Sequence, residues 1–214
     1  MPRTPAGRFA IGAIAALAAL VATPRPGLAQ ATGSYQVDPK QSVVTIAVGK
    51  SGAFSFLAGH THEVTGPIAS GTVEVDAGNL PHSHVHIAIA SASLKVTGKG
   101  EPPDDVPKVQ EAMESDKVLW IARYPQLIFD SAFITPTKNE PPAMDLTING
   151  SLTIRDVKRP TTVPVHVEFA GNTITVTGRF SVKQTDYGIK PITVAGVVAV
   201  KDALDIRFSI VARR

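Results

Sequence analysis

From Met144 to Ile154 every even-numbered position is apolar or glycine: Met144, Leu146, Ile148, Gly150, Leu152 and Ile154. The odd positions, Asp145, Thr147, Asn149, Ser151 and Thr153, are small or polar. Side chains alternate faces along a strand, so this pattern predicts a β-strand with one dry and one wet face. The same parity recurs along most of the chain. Val44, Ile46 and Val48 mark a first strand, and Phe54 and Phe56 a short element stopped by Gly59. Val64, Ile68, Val73 and Val75 predict one or two strands, bent or bulged at Gly66-Pro67 and Gly71. Val85, Ile87 and Ile89 form the next set, with His84 and His86 on the opposite face. Further on, Leu127, Phe129 and Phe133 share one face, as do Val163, Val165, Val167 and Phe169, with His166 and Glu168 outward. Ile174, Val176, Phe180 and Val182 alternate with threonines and Arg179, and Leu204, Ile206, Phe208 and Ile210 with Asp205, Arg207 and Ser209. Gly171-Asn172 supplies a hairpin turn between two of these runs.

One region breaks the pattern. Residues 95 to 107 carry Gly98, Gly100, Pro102, Pro103 and Pro107 and read as a surface loop. Val106, Val109, Gln110 and Met113 then have helical spacing, with Asp104 or Asp105 as a cap and an end near Ser115. A second helical turn is expected over Lys117 to Ile121, carrying Trp120, with Tyr124-Pro125 as the stop. About eight strands, a short helical insert and no βαβ rhythm predict an all-β closed antiparallel barrel or a two-sheet sandwich. Strands of about 8 to 11 residues exceed the usual 5 to 6 and favour the barrel.

Composition changes this picture at the amino end. Arg3 and Arg8 precede an apolar run from Phe9 to Ala22, and the segment closes on Leu28-Ala29-Gln30-Ala31. That is the layout of a secretory signal peptide, cleaved after Ala29 or Ala31, and its apolar run is short of the roughly 20 residues a spanning helix needs. The expected organisation is a leader over 1–31 and one domain over 32–214. The leader holds Arg3, Arg8 and Arg25 and no acid, so the 21 basic residues fall to 18 against 18 acidic ones. A neutral mature chain offers no basic footprint for nucleic acid or anionic membrane. With no Cys anywhere, the exported chain has neither disulfides nor thiol chemistry.

Five segments, in order, carry a resemblance to a known family. They are Tyr35-x-Val37-Asp38-Pro39-x-x-Ser42; Gly66-x-Ile68 with Val73-x-Val75-Asp76; Tyr124-Pro125-x-Leu127-x-Phe129-x-Ser131; Gly150-x-Leu152-Thr153-Ile154-Arg155-Asp156-Val157-x-Arg159-Pro160; and Asp186-Tyr187-Gly188-Ile189. Together they span nearly all of the mature chain, and the sequence resembles the YceI-like family of exported lipid-binding proteins. It departs from the family pattern at Asp156, where Gly is usual, and at Tyr187, where Phe is usual. The resemblance implies a lipocalin-like eight-stranded antiparallel β-barrel with a short helical insert. It implies a non-enzymatic, periplasmic protein without cofactor, whose bore holds a polyisoprenoid, an isoprenoid quinone or a fatty-acid derivative. The implied partner is an isoprenoid or fatty-acyl lipid; the chain is neither nucleic-acid-binding nor membrane-spanning, and a homodimer is left open.

If the bore is open, the residues expected to meet the ligand are Val44, Ile46, Val85, Ile87, Phe129, Phe133, Met144, Leu146, Ile148, Val165, Val167, Val176, Phe180, Ile206 and Phe208. Met144, Leu146 and Ile148 are expected to touch a lipid tail, while Leu152 and Ile154 pack the barrel end. The competing expectation is that these side chains simply fill the barrel, since eight strands enclose a space that side chains can just fill. A second alternative is a metal-binding protein or metalloenzyme built on His60, His62, His82, His84 and His86, since imidazole is a common zinc and copper ligand. Strand parity turns His82, His84 and His86 to solvent, and no metal ligand is assigned. Hydrolase motifs such as Gly-x-Ser-x-Gly and His-Glu-x-x-His are absent. Arg155, Arg159 and Asp186 read as structural, and Trp120 reads either as part of a lid or as a plug.

Overall fold

A computed structural model describes residues 31–51, 61–140, 143–194 and 198–214. The expected leader, the element at Phe54 and Phe56, and His60 lie outside those residues. The strands are β1 (Gly33–Val37), β2 (Val43–Ser51), β3 (His62–Pro67), β4 (Ser70–Val75), β5 (His84–Ala90), β6 (Lys95–Val96), β7 (Gln126–Glu140), β8 (Ala143–Ile154), β9 (Val157–Ala170), β10 (Thr173–Lys183), β11 (Thr193–Val194) and β12 (Val198–Arg213). Among the described residues one α-helix, α1 (Val106–Glu114), interrupts them, besides three short 3-10 turns.

All pairings are antiparallel and run β1-β4-β5-β7-β8-β9-β10-β12, and β12 returns to β1 through Gln36↔Arg213 and Val37↔Ala212. The result is a closed eight-stave all-β barrel, as strand length favoured, in the lipocalin-like form that the resemblance implied. Closure leaves the sheet without a continuous free edge. Three staves are made of two strands each. β2 continues β1 and β3 continues β4, as the registers Gln36↔Thr72 and Val43↔Pro67 show, and β6 continues β5.

The break between β1 and β2 explains the Tyr-x-Val-Asp-Pro-x-x-Ser segment. Asp38 donates its backbone N–H to Val211 and accepts from the Lys40 backbone N–H at 3.0 Å and from Gln41. The Lys40 bond and the Arg213 guanidinium hold the Asp38 carboxyl below its ordinary value. Ser42 Oγ accepts from the Val211 N–H and donates to the Val211 carbonyl. Side chains thus replace ladder bonds that the kink removes.

Two bulges in β7 shift the register against β8, between Ser131 and Phe133 and between Pro136 and Lys138. The first corrects an expectation. Counting parity from Leu127 and Phe129 turns Phe133 into the bore, but the extra residue, Ala132, flips the strand. Ile134 is buried instead, and Phe133 is 51% exposed on the outer wall. Gly150 sits opposite this bulge; a Cβ there would stand 2.3 Å from the Asp130 carbonyl and 2.9 Å from the Phe129 ring. Gly178 plays the same part under the Phe208 ring. Both glycines lie at inward positions, so aromatic rings occupy the room that their missing side chains leave.

The helix agrees with its sequence signals in extent, and Asp105 is its N-cap residue. The expected second helical turn over 117 to 121 is instead a run of hydrogen-bonded turns, with Trp120 at φ +49°. Trp120 meets Tyr124 edge-on at 5.8 Å, and the Arg123 and Arg155 guanidinium groups lie over its ring at 4.9 and 5.7 Å. Arg155 sits in the two-residue β8–β9 turn at φ +59° and donates to the Asp116 carbonyl. A left-handed conformation at a non-glycine residue costs of order 1 kcal/mol or more. Here it places the arginine that ties the insert to the barrel.

Candidate functional site

The barrel is not uniformly filled. One end holds a narrow cavity of about 130 Å³ and the other a chamber of about 770 Å³. Val44, Ile87, Phe129, Leu152, Phe180 and Ile206 border both and form a waist, where the Phe180 and Phe208 rings meet edge-on at 6.3 Å. Beyond the narrow cavity the barrel is closed by protein. Tyr35 is wholly buried there, its hydroxyl donating to the Ala31 carbonyl at 2.9 Å, and Ile68, Ala212 and Ile174 are similarly buried.

Of the fifteen positions expected to face the bore, all but Phe133 and Met144 line it. Phe133 is outside the wall. Met144 is 1% exposed but borders neither cavity; it packs in the closed end, paired with Val167. The assignment along β8 is therefore reversed at its ends. Met144 fills the closed end, while Leu152 and Ile154 line the chamber.

The chamber exists because one stave is missing a neighbour. β5 pairs with β7 over His86 to Ala90, but among the described residues β6, which continues β5, pairs with β3 alone. The insert fills the gap. Gln110, on α1, accepts from the Val96 N–H at 2.8 Å and donates to the Leu94 carbonyl at 3.0 Å, so its side-chain amide does for the β6 edge what a neighbouring strand would do. It also donates to Glu114, which pairs with Lys95; these bonds hold the Glu114 carboxyl below its ordinary value. A helix lies farther from a strand edge than a paired strand does, because a ladder spaces strands only about 4.8 Å apart. The space left beneath is lined by Val109, Ala112, Met113, Val118 and Leu119. Trp120 is not among them: it braces the insert from outside.

The chamber's other wall comes from the turn after β10. Gln184 donates to the Lys201 carbonyl, Thr185 binds Asp202 through both its N–H and its hydroxyl, and Gly188 takes φ +71°. These bonds hold the Asp202 carboxyl low and set Tyr187 and Ile189 into the lining. Burial pushes the Tyr187 hydroxyl above its ordinary value. Arg159 donates to the Asp186 carbonyl at 2.7 Å, a structural role.

Among the described residues, the charged and amide side chains that border the chamber are Lys50, His62, Glu101, Asp105, Lys108 and Gln184. His62 Nδ1 and Glu101 Oε2 are 3.0 Å apart but not aligned as a hydrogen bond. Sequence reading missed Glu101, which sits in a Gly- and Pro-rich loop with no motif around it. The other described histidines are dispersed. His82 contacts Asn79, His86 bonds Asp130 at 2.7 Å, and both are exposed, as is His84. Among the described residues no three His, Asp or Glu side chains gather to hold a metal ion, and no helix is long and apolar enough to cross a membrane.

This barrel, with its insert and its five ordered segments, matches the model of the YceI-like domain over residues 35–212. The chain belongs to the YceI-like family. Among solved structures, BcnA of Burkholderia cenocepacia is similar at 22% identity and a TM-score of 0.58, covering 82% of this chain and 98% of BcnA. A polyisoprenoid binding domain from Saccharophagus degradans, described as implicated in plant cell wall breakdown, is similar at 12% identity and a TM-score of 0.58, covering 84% and 97%. The Campylobacter jejuni YceI protein follows at 16% identity and a TM-score of 0.51, covering 70% and 84%. At such identities these likenesses concern the YceI-like fold. Comparison with curated protein sequences gave no match.

Proposed function

We propose that this YceI-like barrel is a non-catalytic carrier that holds a long apolar lipid in its bore, with the tail directed at the waist. The observation that carries the reading is the chamber of about 770 Å³. It falls within the roughly 300–1,000 Å³ of small-molecule sites, and its walls are predominantly apolar, as such sites are. A barrel built only for stability has no reason to keep such a space, since unfilled apolar volume is destabilising. The polyisoprenoid-binding description of the Saccharophagus relative points the same way. The ligand class is an isoprenoid-type lipid: a polyisoprenoid, an isoprenoid quinone or a fatty-acid derivative. Each buried CH₂ contributes at most about 0.8 kcal/mol, less what ordering the tail costs, so tail length governs affinity.

The carrier works outside the cytoplasm, in the periplasm, after cleavage of the leader. Ala31 is buried and its carbonyl receives the Tyr35 hydroxyl. Cleavage after Ala29 keeps that contact and cleavage after Ala31 discards it, which favours the former. Solvent extraction of protein purified from its native host, followed by mass spectrometry, is expected to release a prenyl or acyl lipid, and emptied protein to take up added geranylgeraniol. Protein that carries no lipid and takes up none contradicts the carrier reading.

A further inference from the structure

The Glu101 side chain is wholly buried, and neither of its carboxyl oxygens has a hydrogen bond. His62, 18% exposed, brings a ring nitrogen to 3.0 Å, and that nitrogen also lacks a hydrogen bond. Both residues border the apolar chamber. A buried polar group without a hydrogen bond is costly and rare, and here two such groups face each other across 3.0 Å. Lys108, on the same side, is engaged with Asp105 at 2.9 Å.

We infer that His62 and Glu101 form a head-group site for a lipid ending in a hydroxyl, an alcohol or a phenol. The inference rests on the carrier reading above and adds a chemical class of head to it. A hydroxyl has one donor and two acceptor lone pairs, so one group can donate to a Glu101 oxygen and accept from the His62 ring N–H. The competing heads each fail on one side. Against a carboxylate and a ring N–H, a quinone carbonyl has no proton to give the carboxylate, a protonated amine cannot accept from His62, and a phosphate brings negative charge beside the carboxylate. A site built to bond a hydroxyl therefore discriminates against analogues that lack one.

Three ligands with the same tail separate head from tail: geranylgeraniol, its methyl ether and its monophosphate, titrated against full-length mature protein by displacement of a fluorescent lipid. The wild type is expected to bind the alcohol about tenfold more tightly than the ether, and more tightly again than the phosphate. In Glu101→Leu the alcohol and the ether are expected to agree within about twofold, the ether binding as it does to the wild type. The wild-type comparison stands alone if the variant fails to fold. Equal binding of alcohol and ether by the wild type, or tightest binding of the phosphate, overturns the head-group site and leaves the carrier reading intact. Failure of all three to bind overturns both.

Discussion

The two ends of this barrel are built from the same staves but do different work. At the closed end, Tyr35, Ile68 and Met144 are buried in the core, and about 130 Å³ of apolar space remains below the waist. At the other end, where β6 lacks a strand neighbour, a helix and a run of turns stand back from the wall and leave about 770 Å³. Strand pairing spaces backbones closely enough for inward side chains to meet; a helix laid over a gap does not. The difference teaches that the cavity here is a property of connectivity. The apolar alternation is alike at both ends, and what opens the chamber is the replacement of one strand segment by α1, held in register by Gln110.

Met144→Ala breaks the comparison hardest. At the closed end it leaves a void the packed neighbours cannot fill, and it is expected to cost about 2–5 kcal/mol in urea unfolding. Leu119→Ala, which only enlarges a space already present, is expected to cost about 1 kcal/mol or less. Equal losses would mean that the two ends are packed alike. Gly150→Ala drives a methyl group into the Asp130 carbonyl and is expected to cost about 1–3 kcal/mol in the same measurement. Ala112→Trp fills the chamber from α1; it is expected to weaken geranylgeraniol binding by about tenfold or more while leaving stability within about 1 kcal/mol. Gln110→Leu removes the partners of the Val96 N–H and the Leu94 carbonyl, at about 1–2 kcal/mol, and amide exchange is expected to quicken at Val96 while the closed end is unchanged.

The smallest effect lies on the outer wall and concerns neither end. Asp145 accepts a bond from His166 at 2.7 Å and, with Glu168, raises the imidazole above its ordinary value of 6.5. A raised histidine stabilises the fold below its unfolded-state value, and that stabilisation is lost as pH climbs through the folded-state value. Stability is therefore expected to decline slightly from about pH 6.5 upward. Asp145→Asn is expected to flatten that decline, which thermal melts across this window would show.

The long strands, most of their inward faces and the helix were legible from single residues, because alternation is a local property written in each strand; Lys95 and Val96, read as the start of a loop, instead form β6, a strand too short to alternate. What escaped were features that depend on how strands meet. In Phe133-Ile134 two apolar residues adjoin, and only the Ala132 bulge, set against Gly150 on β8, decides which of them turns inward. Along β8 the parity of Met144 and Ile154 is the same, yet one is sealed in the closed end and the other lines the chamber. Their difference comes from what lies across the barrel, and no local pattern carries that. Glu101 escaped for another reason: a lone carboxyl group in a Pro- and Gly-rich loop reads as a solvated charge until the loop is seen folded against His62.

The central claim, that the ligand sits in the chamber and not in a uniformly open bore, is tested most directly by photo-labelling. A geranylgeraniol analogue with a diazirine along its tail, bound to the protein and irradiated, is mapped by peptide mass spectrometry. Labels are expected on Met113, Leu119 and Ile154, and at the waist on Phe129 or Phe180. Labels concentrated on Tyr35 or Met144, or on the outer-wall Phe133, would contradict the account.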